Sequence, residues 1–273
     1  MNRRGFLFSC ILLFIFAISA NGKTIKLLAI GNSFSEDGIE QYLYELAAEG
    51  GDTLIIGNIY RPGQSLEAHW KEITENKALI EYRKIVNGVK TNTKDRTLLE
   101  YLTDENWDYV TFQQASHLSG LPASYEPYLT YLIDYVRKHA TNPNVKYGFQ
   151  LTWAYAKDST HGGFANYNND QLTMYNAILN AVSKAIKSHQ DVISFIIPSG
   201  IAIQLVRATP IGDTLNRDGY HLSYGTGRYT AACTWLAAIT GQDPIGKKFK
   251  PDSITEAEAK VIQKVVHDVV FPK

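Results

Sequence analysis

One stretch constrains the chain more than any other: residues 26–35, Lys-Leu-Leu-Ala-Ile-Gly-Asn-Ser-Phe-Ser. Its apolar run reads as a buried strand that breaks at Gly31, and Ser33 and Ser35 follow. Ile39, Leu43, Leu46 and Ala47 then recur at helical spacing, which predicts one helix over residues 36–49. A strand that passes through a tight turn into a helix is the basic unit of a parallel α/β sheet. Its turn lies at the carboxyl end of the strand, where such folds bind ligands. The free N–H groups of a helix start also favour developing negative charge there. Ser33 sits in that turn, so it is a candidate nucleophile, and the rest of the chain must supply a base, an orienting acid and oxyanion donors.

The alternation continues. Residues 53–60 are rich in β-branched side chains and run into the turn Arg61-Pro62-Gly63-Gln64-Ser65, with a helix from about Leu66. A third strand over residues 107–113 ends at Gln113 and Gln114; a fourth covers residues 145–151 and a fifth residues 192–197. Helical stretches lie between them, which predicts right-handed crossovers and helices on both faces of the sheet. Residues 79–95 break the pattern. Asn87-Gly88 between two β-prone runs predicts an inserted hairpin, at the sheet edge or over the active face. The fold expected is a three-layer α/β/α sandwich around a five-stranded parallel sheet, flavodoxin-like in arrangement. Ser33, Gly63 and Gln113 should then gather where the first three strands end. The first turn lacks the glycines that let a backbone approach phosphate closely, which argues against a mononucleotide site.

The 273 residues suit one sizeable domain with a substantial core. Residues 1–20 read as a secretory signal peptide. Arg3 and Arg4 precede an apolar block over residues 6–17, which is shorter than the about 20 residues a bilayer span needs. Ser19 and Ala20 follow as the cleavage site. Cys10 lies inside the apolar run, too early for a lipid anchor. The expectation is a secreted or periplasmic protein without stable membrane insertion after cleavage, its residues 21–273 forming a single domain. Loss of the leader removes two arginines and leaves two more acids than bases. A near-neutral chain without a basic tract excludes nucleic acid as the expected partner. Cys233 is left without a partner, so neither a disulfide nor a thiolate metal cluster is expected.

Asp218 and His221 are three residues apart in Asp-Gly-Tyr-His-Leu-Ser. On a turn that spacing places both side chains on one side, so the carboxylate can fix the imidazole tautomer that serves as a base. His117 and His161 fall on loops that can line a site. His69, His139 and His189 fall on helical segments and are expected at the surface. The long loop 152–169 holds Trp153, Tyr155, His161, Phe164 and Tyr167, and loops of that length are usually functional or mobile.

Taken together, Gly31-Asn32-Ser33-Phe34-Ser35, the glycine turn after the second strand, the amides after the third and Asp218-x-x-His221 resemble the SGNH, or GDSL-type, hydrolase superfamily. The likeness looks closest to a secreted bacterial branch with no settled activity, in which a Gln-Gln-Ala-Ser segment follows the third strand. The resemblance implies Ser33 as nucleophile, His221 as general base and Asp218 as its partner. It implies an oxyanion hole from the backbone N–H groups of Ser33 and Gly63 and an amide of Gln113 or Gln114, with a slight lean to Gln113. Two departures stand out: Asn32 replaces the usual aspartate, and Gln113-Gln114 replace the usual Gly-x-Asn-Asp block.

A secreted serine esterase that removes short acyl groups from carbohydrates follows from the resemblance. No metal or organic cofactor is called for, and the partner is a small or polymeric acyl ester. Its expected substrate wall is Asn32, Arg61, His117, Trp153, Tyr155 and Tyr220, with Asn58, Asn166 and Asn168 as further hydroxyl partners. A lipid or thioester hydrolase and a non-catalytic carbohydrate-binding module on the same fold are the alternatives.

Overall fold

The first strand, β1 (Thr24–Ile30), lies at the centre of the sheet and is buried almost throughout. A computed structural model describes residues 22–272. The leader read at residues 1–20 lies outside them. β1 pairs in parallel with β2 (Thr53–Tyr60) on one side and β5 (Tyr109–Phe112) on the other. β6 (Lys146–Gln150) and β7 (Ile193–Ile197) continue the parallel ladder beyond β5. Strand order therefore reverses at β1, and the crevice at such a reversal is where open α/β sheets bind ligands. Ile30 faces Ile59 and Phe112 across the two ladders, so the loops after β1, β2 and β5 leave the sheet side by side.

The sheet has seven strands rather than five. The hairpin β3 (Ile80–Val86) and β4 (Val89–Arg96) adds to β2 antiparallel, with Ile56 opposite Ile85. It extends the edge and does not cover the active face. Asn87 and Gly88 both take left-handed backbone, φ 52° and 75°, as a two-residue hairpin turn requires. Lys90, Lys94 and Arg96 line exposed β4, the kind of charge that keeps an edge from pairing with another chain.

The helix expected over residues 36–49 is two helices: α1 (Ser33–Ile39) and α2 (Leu43–Glu49), separated at Tyr42, whose φ is 71°. α3 (Leu66–Thr74), α4 (Leu98–Leu102) and α5 (Tyr128–His139) pack together. α6 (Gln171–Ser188) links β6 to β7. α7 (Ser199–Arg207), α8 (Thr226–Thr240) and α9 (Glu256–Val270) form a second group, with α8 also against α1 and α2. Nearly every side of α8 is buried, Tyr229, Cys233 and Trp235 included, as its unpatterned apolar sequence demands. Burial pushes the Cys233 thiol up to about 12, so it packs as a small apolar group. No helix among the described residues is long and apolar enough to cross a membrane.

Candidate active site

The turn after β1 is held from three sides. Asn32 caps α1, its Oδ1 accepting from the Phe34 N–H at 2.9 Å. The same oxygen accepts from Gln113 Nε2 at 2.7 Å, and Asn32 Nδ2 donates to the Gln64 carbonyl at 2.8 Å. One side chain thus laces together the loops after β1, β2 and β5. An aspartate could not donate to the Gln64 carbonyl, so that bond requires the amide that Asn32 supplies. Asn32 is 1% exposed, its Oδ1 accepting two hydrogen bonds and its Nδ2 donating to Gln64. It builds the turn, and the expectation that it binds substrate is corrected. Beneath it, Ser35 Oγ lies 2.7 Å from the Asn32 carbonyl and 2.8 Å from Asn58 Oδ1, its single hydroxyl hydrogen shared between the two acceptors. Ser33 follows the cap as the first residue of α1, half-buried, where first-turn N–H groups lack an intrahelical acceptor.

Asp218 and His221 form a local pair. Asp218 Oδ2 lies 2.7 Å from His221 Nδ1, while Oδ1 accepts the backbone N–H groups of His221 and Tyr220 at 2.8 and 3.2 Å. Burial pushes the carboxyl up, but the hydrogen bonds from His221 outweigh it and hold Asp218 below the usual carboxylate range. An ionised Asp218 takes the proton-bearing Nδ1, which leaves Nε2 bare. The His221 ring stands 6.0 Å from the ring of Phe34, the residue after Ser33, so the two distant stretches meet. Phe34 stacks on Trp153 at 4.2 Å, nearly parallel, and Trp153 Nε1 donates to the Tyr220 carbonyl at 2.8 Å.

The two glutamines separate cleanly. Gln113 reaches the Ser33 turn. Gln114 turns away: its Oε1 accepts from the Leu66 and Ala115 N–H groups, and its Nε2 donates to Ser124. Gln114 is corrected from oxyanion donor to brace, its amide fully occupied. Gly63 is exposed with φ 64°, in a turn closed by Gln64 N–H to the Arg61 carbonyl.

The expected substrate wall is partly structural. Trp153 and Tyr155 are fully buried, and Tyr155 is bonded through its hydroxyl to Ser116 Oγ, so both pack the loop down instead of facing ligand. Phe164 and Tyr167 are buried with them. Asn58 is buried between Ser35 and Glu40 and is corrected likewise. Arg61 pairs with Glu72 at the rim. Asn166 donates to the His117 carbonyl, and exposed Asn168 takes left-handed backbone after the 3₁₀ turn 162–167. Half-exposed polar rings do remain: Tyr220 packs against His221 at 4.1 Å, His161 meets Tyr220 at 4.6 Å, and His117 lies 6.3 Å from His161. Burial and the His221 charge lower the His161 pKa.

His69 is a correction and a residue the sequence reading missed. Instead of lying at the surface it is buried, its Nε2 donating to the Gly31 carbonyl at 3.0 Å. Burial pushes its imidazole down to about 4. The signal was present: Leu66, His69 and Glu72 recur at helical spacing on the inner face of α3. Asp37 was also missed; it is fully buried among Arg217, Arg228 and Leu222. Among the described residues, no three His, Cys, Asp or Glu side chains form a group that could hold a metal ion.

Residues 26–269 match the sequence profile of DUF4886, a domain of unknown function. The chain belongs to the DUF4886 family. A DUF4886 family protein from Bacteroides uniformis, solved by crystallography, is 45% identical and superposes with a TM-score of 0.87 over 91% of this chain and 96% of that one. A putative SGNH hydrolase from Slackia heliotrinireducens is 20% identical, TM-score 0.54, over 79% of this chain and 98% of that one. An acetylxylan esterase from Geobacillus stearothermophilus is 14% identical, TM-score 0.51, over 85% and 99%. No curated protein sequence matches the chain. This DUF4886 chain therefore has the fold seen in SGNH hydrolases, with an antiparallel hairpin on its sheet edge.

Proposed function

We propose that the protein is a serine ester hydrolase with Ser33 as nucleophile, His221 as general base and Asp218 as its orienting carboxylate. One observation carries this reading: a carboxylate-bound imidazole whose ring lies beside Phe34, at the turn that exposes Ser33. Ser33 Oγ attacks an ester carbonyl as His221 Nε2 takes its proton, giving a tetrahedral oxyanion. The backbone N–H groups of Ser33 and Gly63 and the second amide hydrogen of Gln113 receive that charge, each donor contributing about 3–4 kcal/mol in such sites. The C–O bond to the alcohol then breaks, and the alcohol leaves with the proton from His221. Water, deprotonated by His221, releases the acyl group and restores Ser33.

The substrate we propose is a carbohydrate O-acetyl ester, met outside the cell after export by the leader read at residues 1–20. The half-exposed His117, His161 and Tyr220 offer polar contacts beside His221, and the fold is shared with an acetylxylan esterase. Ser33→Ala should abolish hydrolysis of an aryl acetate while circular dichroism stays unchanged. Turnover retained by that variant would remove Ser33 from the role. Acetylated xylan assayed against a long-chain acyl ester separates carbohydrate from lipid substrates.

A further inference from the structure

We infer that Asp37 is a positioning residue of this reaction: a buried carboxylate on the nucleophile's own helix that sets where the His221 loop stands relative to Ser33. The inference rests on the esterase reading of Ser33 and His221.

Asp37 lies one helical turn beyond Ser33 on α1. Its oxygens reach across to the segment carrying the base. Oδ2 accepts the Leu222 N–H at 2.7 Å, directly after His221. Oδ1 accepts from Arg217 Nη1 at 3.1 Å, directly before Asp218, and pairs with Arg228 on α8. Arg217 closes the triangle by bonding the Leu222 carbonyl through the same Nη1.

The loop so gripped is rigid in itself. Arg217 N–H donates to the His221 carbonyl at 2.9 Å, Ser223 N–H to the Leu215 carbonyl at 2.7 Å, and Asn216 bridges antiparallel to Leu222. Asn216 Nδ2 and Trp153 Nε1 both donate to the Tyr220 carbonyl. Asp218 and His221 therefore move as one unit, and Asp37 is that unit's direct polar tie to the helix of Ser33.

A carboxylate with no exposed surface is a poor device for stability alone. Burial raises its pKa, and only the two guanidinium groups and the Leu222 N–H offset that cost. An apolar side chain would fill the space but hold neither the Leu222 N–H nor Arg217. What the carboxylate supplies is register between two elements, and about 1 Å of misplacement at reacting groups can cost about 100-fold in rate.

The test uses the whole chain. Asp37→Leu should lower kcat on an aryl acetate about 100-fold and Asp37→Asn, which keeps an acceptor for Leu222, about 10-fold, both with KM within twofold of wild type. Arg217→Gln leaves the buried Asp37–Arg228 pair intact and is the variant least exposed to misfolding. It should lower kcat several-fold with KM unchanged. Ile262→Ala, a core truncation in α9, serves as the stability control and should lower Tm without lowering kcat. Folded Asp37 and Arg217 variants with wild-type kcat, or with kcat and KM changed no more than in the control, would overturn the inference. If the wild type neither hydrolyses aryl acetates nor reacts with a fluorophosphonate, the esterase reading fails by itself. A crystal structure of Arg217→Gln then decides separately: a 216–222 loop displaced against α1 supports the tie, and an unmoved loop rejects it.

Discussion

His69 Nε2 donates to the Gly31 carbonyl at 3.0 Å from a fully buried position, which ties α3 to the turn presenting Ser33. The bond requires a proton on Nε2, and burial keeps Nδ1 from taking a second: the group's pKa falls to about 4. In the unfolded chain the same imidazole titrates near 6.5.

That difference fixes a sign. Above about pH 6.5 both states hold a neutral ring and His69 gives no pH dependence. Between about 6.5 and 4 only the unfolded chain binds the proton, so stability falls by about 3 kcal/mol across that window as pH drops. His69→Gln keeps a donor for Gly31 without the titration. At pH 7.5 the variant should be about 1 kcal/mol less stable than wild type in urea unfolding. At pH 4.5 the gap should close or reverse. Parallel stability curves for the two proteins would remove His69 as the acid-sensitive group.

Gln113 and Gln114 are adjacent in sequence and opposite in role. Gln114→Ala strips the acceptor from the Leu66 and Ala115 N–H groups and should cost about 1–3 kcal/mol of stability through those stranded donors. Its kcat per folded molecule should stay near wild type. Gln113→Ala should do the reverse: it frees Asn32 and removes an oxyanion donor, so kcat falls about 100-fold or more. Thermal melts and initial rates on the same preparations separate the two outcomes.

Local relations could be read from the chain. The Asp218–His221 pair is a three-residue contact, and its geometry needs no tertiary information. The hairpin turn was legible because left-handed backbone at residues 87 and 88 selects Asn and Gly. The convergence of the Ser33, Gly63 and Gln113 loops followed from strand–helix alternation. What stayed hidden depends on distant partners. Leu222, which bonds Asp37, lies 185 residues further along the chain. Trp153 and Tyr155 have the same composition whether a ring faces a sugar or a carbonyl group inside the protein, so their burial had no sequence signal. The break at Tyr42 was equally silent, because the apolar spacing runs on through a left-handed residue that is not glycine. The sequence left the hairpin between the sheet edge and the active face, because an inserted ribbon satisfies its own alternation wherever it docks; it pairs with β2 at the edge.

Asp218→Asn tests the imidazole's orientation directly. The amide oxygen can still accept the backbone N–H groups of Tyr220 and His221, so the loop should keep its shape. The amide nitrogen would face His221 Nδ1 with a donor and favour the tautomer whose Nε2 carries the proton. That ring cannot take the Ser33 proton. We expect kcat to fall about 10⁴-fold, with Tm nearly unchanged because the pair is partly exposed. A loss of tenfold or less would mean the carboxylate does not orient the base.

Trp153 offers a test of whether the loop 152–169 binds substrate or only supports the base. Its ring stacks on Phe34, and its Nε1–H holds the Tyr220 carbonyl, so it joins the Ser33 helix to the His221 loop from the interior. Trp153→Phe keeps most of the stack and loses the hydrogen bond, which should cost about 0.5–1.5 kcal/mol because Asn216 Nδ2 still donates to the Tyr220 carbonyl. Trp153→Ala opens a cavity as well and should cost about 3–5 kcal/mol. A support role moves kcat for an aryl acetate and for acetylated xylan by the same factor, because the base is displaced for both. A stacking role would instead raise KM for the xylan alone, and that result would put the Trp153 face in contact with sugar despite its complete burial.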